Sequence, residues 1–143
     1  MAKTVQIKWS YPKAWESALA SSEAMETGVY QISKAFGGLE SLLYIGLVKG
    51  TGRDFYTRMN EHRKDWLGQV RGEKYFRFGK IRTFCNSIVN NDLVEEVESA
   101  LIFEIQPPEN TMKRSSYRIR EDLIVKSTGY RGFVPKLIDT MSH

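Results

Sequence analysis

The chain has 143 residues, 41% apolar and 27% charged, the balance of one ordinary globular domain, so disorder is not the default. Its formal charge is only +4, yet nine Lys or Arg against four acids fall in residues 53–82 and seven against three in residues 111–143, so the remainder is net acidic. Positive charge gathered in two blocks suits a polyanion such as nucleic acid; the absence of an apolar run near the roughly 20 residues that span a bilayer, and of a secretion leader, points to a cytoplasmic protein with no membrane partner.

Thr4 to Trp9 alternates apolar Val5, Ile7 and Trp9 with polar Gln6 and Lys8, the pattern of a half-buried strand. Ser10 and Pro12 then offer a cap and a first-turn proline for a short helix carrying Trp15, Ala18 and Leu19. Gly28 to Ile32 and Leu42 to Val48 read as two strands of a hairpin joined through Gly37-Gly38. Asp54 is a plausible N-cap for a helix from Phe55 to about Leu67. On it Phe55, Met59, His62 and Trp66 fall within about 60° of one another, with Arg58 at the edge of that stripe.

A polar loop at residues 69–74 leads to a third strand, Tyr75 to Phe84, where Gly79 marks a bulge. Cys85, the only cysteine, excludes an internal disulfide and a zinc site of several thiolates, and reads as core filler. A capping-box-like Asp92 and Glu95 open a helix to about Ile105, stopped by Pro107-Pro108. Its inward face is Leu93, Val97, Ala100, Leu101 and Ile105, with Glu98 beside it, whereas Glu95, Glu96 and Glu104 read as solvated. Tyr117 to Val125 alternates as an added strand with Arg118 and Arg120 on its other face, a helix from Ser115 being the alternative, and residues 129–135 read as turns.

Gly28-Val29-Tyr30, Tyr44-Ile45-Gly46, Arg58 followed by His62, Glu98 within an apolar helix, and Asn110 past the proline pair form an ordered set. That set resembles the GIY-YIG nuclease family over residues 28–110; YIG is identical, and Val stands in the first motif where the family has Ile. Leu47 follows YIG where some relatives carry a lysine, and the stretch Lys49 to Asp54 looks inserted, so the register of Arg58 rests on its spacing to His62. The resemblance implies an α+β fold with a small three-stranded antiparallel sheet flanked by helices. To that core, residues 28–110 of a single domain, it adds an N-terminal strand/helix extension (1–27) and a basic strand-like C-terminal extension (111–143).

It also implies a metal-dependent DNA endonuclease, with Tyr30, Tyr44, Arg58, His62, Glu98 and Asn110 as its catalytic set and Glu98 holding one Mg2+ or Mn2+. Phosphodiester hydrolysis needs a route for the water's proton, positive charge on the phosphorane and help for the departing 3′ oxygen. The phenols Tyr30 and Tyr44 are the candidates for the first task if a nearby cation lowers their pKa, and Arg58 for the second. His62 would position the water or a hydroxyl, and Asn110 would fix the wall of the site. Lys49, Arg53, Arg63, Lys74, Arg114, Arg118 and Arg120 are the candidate nucleic-acid contacts. RNA fits the same residues as DNA, and cutting both strands of a duplex calls for a homodimer or two encounters. The alternative function is a nucleic-acid-binding or structure-recognition module with little or no cleavage.

Overall fold

The computed structural model describes residues 3–49, 52–83, 91–110 and 123–140. Among them are seven strands: β1 (Lys3–Trp9), β2 (Lys13–Ala14), β3 (Thr27–Phe36), β4 (Leu39–Lys49), β5 (Glu73–Thr83), β6 (Leu123–Gly129) and β7 (Leu137–Asp139). Three α-helices accompany them, α1 (Trp15–Leu19), α2 (Gly52–Asp65) and α3 (Asn91–Ile105). The strands form one sheet in the order β4-β3-β5-β1-β6-β7, with β2 also paired to β5.

This overturns the expected small three-stranded sheet with terminal extensions. The fold is mixed α/β with a single curled, strand-rich sheet, and four of its strands come from residues before 28 or after 110. The physical reason is pairing. β1 buries Val5, Ile7 and Trp9, and it is antiparallel to the second half of β5 and parallel to β6, with Val5 opposite both Thr83 and Val125. Alternation announces a strand, but not the neighbour it will find.

Two apolar clusters divide the two faces. On one, α3 packs Leu93, Val97, Ala100 and Leu101 against Val5, Ile7, Trp9, Val29, Ile45 and Val125. On the other, Ala18 of α1 and Met59 of α2 cover Tyr30, Ile32, Leu43, Phe76 and Phe78. β5 passes from one layer to the other, so Phe76 and Phe78 face α1 and α2 whereas Ile81 faces α3. That crossing, and no bulge, explains the apparent shift at Gly79, which pairs in unbroken register with both Val29 and Trp9. A Cβ at Gly79 would strike Ile7 and Trp9. The register shift in the sheet falls between Ile32 and Ser33 instead.

Other local details also depart from expectation. α1 is capped by Ala14 without a side-chain bond, while Ser10 accepts a hydrogen bond from the Phe78 amide at 3.0 Å and so extends the ladder rather than starting a helix. Glu96 is buried and Glu104 half-buried, leaving Glu95 as the solvated one of the three. β7 was not anticipated. The Gly37-Gly38 turn matches its reading, both residues having positive φ (64° and 83°), which suits a tight hairpin. Cys85, the Tyr117-Ile119 segment and Arg114, Arg118 and Arg120 lie outside the described residues.

Candidate active site

Tyr30 and Tyr44 project from neighbouring strands on the face that α2 covers, with ring centroids 6.1 Å apart. In register, Tyr30 lies opposite Gly46. A Cβ at Gly46 would overlap the Tyr30 ring and hydroxyl, so the glycine of the YIG triplet is what lets the first phenol lie flat on the second strand. That role for Gly46 was not drawn from the sequence, although the triplet itself carried the signal. Gly28 is constrained similarly, because a Cβ there would meet the backbone carbonyl of Gly79.

α2 supplies the next two groups. Arg58 donates to the Tyr44 hydroxyl at 3.2 Å and pairs with Glu61 at 3.5 Å across one helical turn. The Glu61 pair is half-exposed and worth little by itself. Its presence does not withdraw the guanidinium, because Arg58 also acts on Tyr30 through charge and a hydrogen bond. Partial burial works against the Arg58 cation, but the two phenols and Glu61 outweigh it and hold it charged.

One turn further, His62 stacks on Tyr44 with centroids 4.6 Å apart. Trp66 Nε1 donates to His62 Nδ1 at 3.1 Å, which places the imidazole proton on Nε2. Burial, helped by the nearby Arg58 charge, lowers the His62 pKa to about 4, so the ring is neutral near pH 7. Its buried Nε2 has no hydrogen-bond partner among the described residues. His62 is therefore placed as a neutral donor and not as a base.

Glu98 sits on α3, across the sheet from α2, and is 7% exposed. Because β4 is the edge strand and α3 packs on β3 and β4, the carboxylate is near enough to both phenols to push their pKa values up. Burial is the larger cause for each phenol: Tyr30 is raised well above its ordinary value and Tyr44 is raised as well, with Arg58 pulling both down. The expectation that cations lower the phenols is thus corrected, since desolvation outweighs the guanidinium.

Asn110 has a different task. Its Oδ1 accepts from the Ile45 amide and its Nδ2 donates to the Ile45 carbonyl, both at 2.9 Å. The side chain acts as a short surrogate strand on the open edge of β4, one residue from Tyr44. It braces the wall of the site and does not reach into it.

Of the proposed nucleic-acid contacts, Arg63 lies over the Trp15 ring at 5.5 Å, and Lys74 donates to the Val70 carbonyl. Both line a groove of about 560 Å³ with Trp15, Leu67 and Glu73, and neither phenol lines it. The side chains of Lys49 and Arg53 lie outside the described residues.

Among the described residues no group of three or more His, Cys, Asp or Glu side chains is arranged to hold a metal. Glu98 supplies one buried carboxylate whose charge reaches both phenols, and a single carboxylate fits a hard cation that keeps most of its waters and takes further oxygens from a phosphate. No helix among the described residues is long and apolar enough to cross a membrane. Comparison of the chain with protein-family models, curated proteins and solved structures returns no match.

Proposed function

We propose that the chain is a metal-dependent DNA endonuclease acting in the cytoplasm on the nucleic acid held there. The observation that carries this reading is the convergence of Tyr30, Tyr44, Arg58 and Glu98, residues from two strands and two helices on opposite faces, into one electrostatically coupled group. Burial holds both phenols neutral, and Arg58 pulls against that shift in each, the kind of opposed environment that gathers at functional sites.

In this reading Arg58 clamps a non-bridging phosphate oxygen and neutralises the charge that develops in the transition state. The Tyr44 hydroxyl already accepts from Arg58, so its own proton points elsewhere and its oxygen orients the attacking water. Tyr30, fully covered, holds the relative position of Tyr44 and Gly46. His62, stacked on Tyr44 and held by the Trp66 indole at Nδ1, positions the Tyr44 hydroxyl. Mg2+ or Mn2+ held by Glu98 would supply Lewis acidity to the phosphate and to the leaving 3′ oxygen.

The raised phenols favour the second reading, a binding module with little cleavage, because neither tyrosine is ionised in the protein by itself. One experiment separates the two: supercoiled, linear, branched and single-stranded DNA, with RNA alongside, incubated with Mg2+, Mn2+ or EDTA. The nuclease reading expects nicking of DNA with either metal and none in EDTA. Tight binding without cleavage under every condition would overturn it in favour of the module.

A further inference from the structure

The face of the sheet that carries the phenols is only partly roofed. α1 and α2 cover β4, β3 and the first half of β5, and beyond them the second half of β5, β1 and β6 present exposed side chains. These are mostly cations. Lys8 on β1 lies directly opposite Lys80 on β5, and Gln6 stands between Arg82 on one side and Lys126 on the other. Lys8, Lys80, Arg82 and Lys126 are all exposed.

Like charges placed directly across an antiparallel pair oppose folding. Among the described residues Glu26 reaches Lys80 at 3.8 Å with both side chains about half exposed, which offsets little of the repulsion between Lys8 and Lys80. The row also joins the site described above, because Lys80 is the register partner of Gly28, two residues before Tyr30.

At the end of the same strands two large aromatics stand in solvent. Tyr11 and Tyr130 are 63% and 56% exposed and meet edge to face with centroids 5.0 Å apart. Tyr130 is tied to the strand by its amide, which donates to the Trp9 carbonyl at 3.2 Å, so the pair is anchored next to Lys8. Arg131 and Lys136 continue the positive charge into an open groove of about 640 Å³ shared with Lys126 and Thr128. Cations on an uncovered sheet face suit a phosphate backbone, and exposed aromatic faces at its edge suit bases free to stack, which a closed duplex does not offer.

We propose that this uncovered half of the sheet is a docking surface for single-stranded DNA, with Lys8, Lys80, Arg82 and Lys126 meeting the backbone and Tyr11 and Tyr130 stacking bases. The choice of DNA rests on the nuclease reading, and the surface delivers an unpaired strand along the face that holds Tyr44 and Arg58.

The test measures binding of the full chain to labelled oligothymidylate and to a duplex of the same length, in EDTA so that cleavage plays no part. Replacing Lys8, Lys80 and Lys126 together by Glu weakens oligothymidylate binding at least about tenfold and flattens the plot of log affinity against log salt by about 2. Tyr11→Ala with Tyr130→Ala weakens oligothymidylate binding about tenfold and leaves duplex binding within about twofold. Thermal melting of each variant, all changed at exposed positions, keeps loss of fold separate from loss of binding. Wild-type affinity in the triple charge variant, equal loss on duplex and single strand in the tyrosine variant, or failure of the wild type to bind oligothymidylate overturns the proposal. A wild type that binds as described yet never cleaves sinks the nuclease and leaves this surface standing.

Discussion

His62 shows how a single side chain is redefined by its surroundings. The sequence placed it one turn after Arg58 on an apolar stripe, which marks a site but leaves the imidazole's protonation open. The Trp66 indole and the Tyr44 ring fix it as a neutral Nε2–H donor with a pKa near 4. An unfolded histidine takes its proton near pH 6.5, so between about 6.5 and 4 the unfolded chain binds more protons than the folded one. Stability should therefore be complete above pH 6.5 and fall as the pH drops towards 4, by about 2–3 kcal/mol from this residue. Urea titrations at pH 7 and 4.5 check it. In His62→Gln that part of the pH dependence disappears, and parallel pH profiles for the two proteins would reject the assignment. The proximity of Tyr30, Tyr44 and Arg58 was legible in the motif spacing. The direction of the phenol shifts was not, because it depends on a burial that only packing sets.

At the scale of elements, the exposed margin of β4 is what the fold must manage. An unpaired edge strand carrying Tyr44 would drift, and Asn110 prevents this by closing two hydrogen bonds on Ile45 from the chain that follows α3. The helix end that delivers it is abrupt: Gln106 takes a positive φ of 56°, and Pro107-Pro108 forbids continuation. Asn110→Ala leaves the Ile45 amide and carbonyl without their partner in a buried place, at about 2–4 kcal/mol. The urea midpoint should fall accordingly and nicking should slow, since Tyr44 is the next residue. An unchanged midpoint would show that the clamp carries no weight. Strands β1, β3, β4 and β5 and helices α2 and α3 were readable from period and punctuation. The three-residue β7 was too short to carry a period, and the passage of β5 between two layers imitated a bulge because a linear pattern does not record which face is covered.

For the whole molecule, the sheet order is what sequence reading missed. Register along a hairpin is local, but β1 and β6 pair in parallel although more than a hundred residues separate them, and no residue type announces that partner. The consequence is that residues 28–110 are not a self-sufficient core. Val5, Ile7 and Trp9 on β1 and Leu123 and Val125 on β6 close the cluster beneath α3, the helix that presents Glu98. A fragment of residues 28–110 should therefore show no cooperative thermal transition, whereas the full chain shows one. A sharp transition in the fragment would contradict this.

The account depends on the Glu98 carboxylate acting together with phenols that stand on the other face of the sheet. Its most direct test is single-turnover nicking of supercoiled DNA in Mg2+ by Glu98→Gln beside the wild type, with far-ultraviolet circular dichroism and thermal melting recorded on both. The account predicts a variant that keeps its fold and loses nicking by at least about a thousandfold. Nicking at the wild-type rate by a folded Glu98→Gln protein would contradict it.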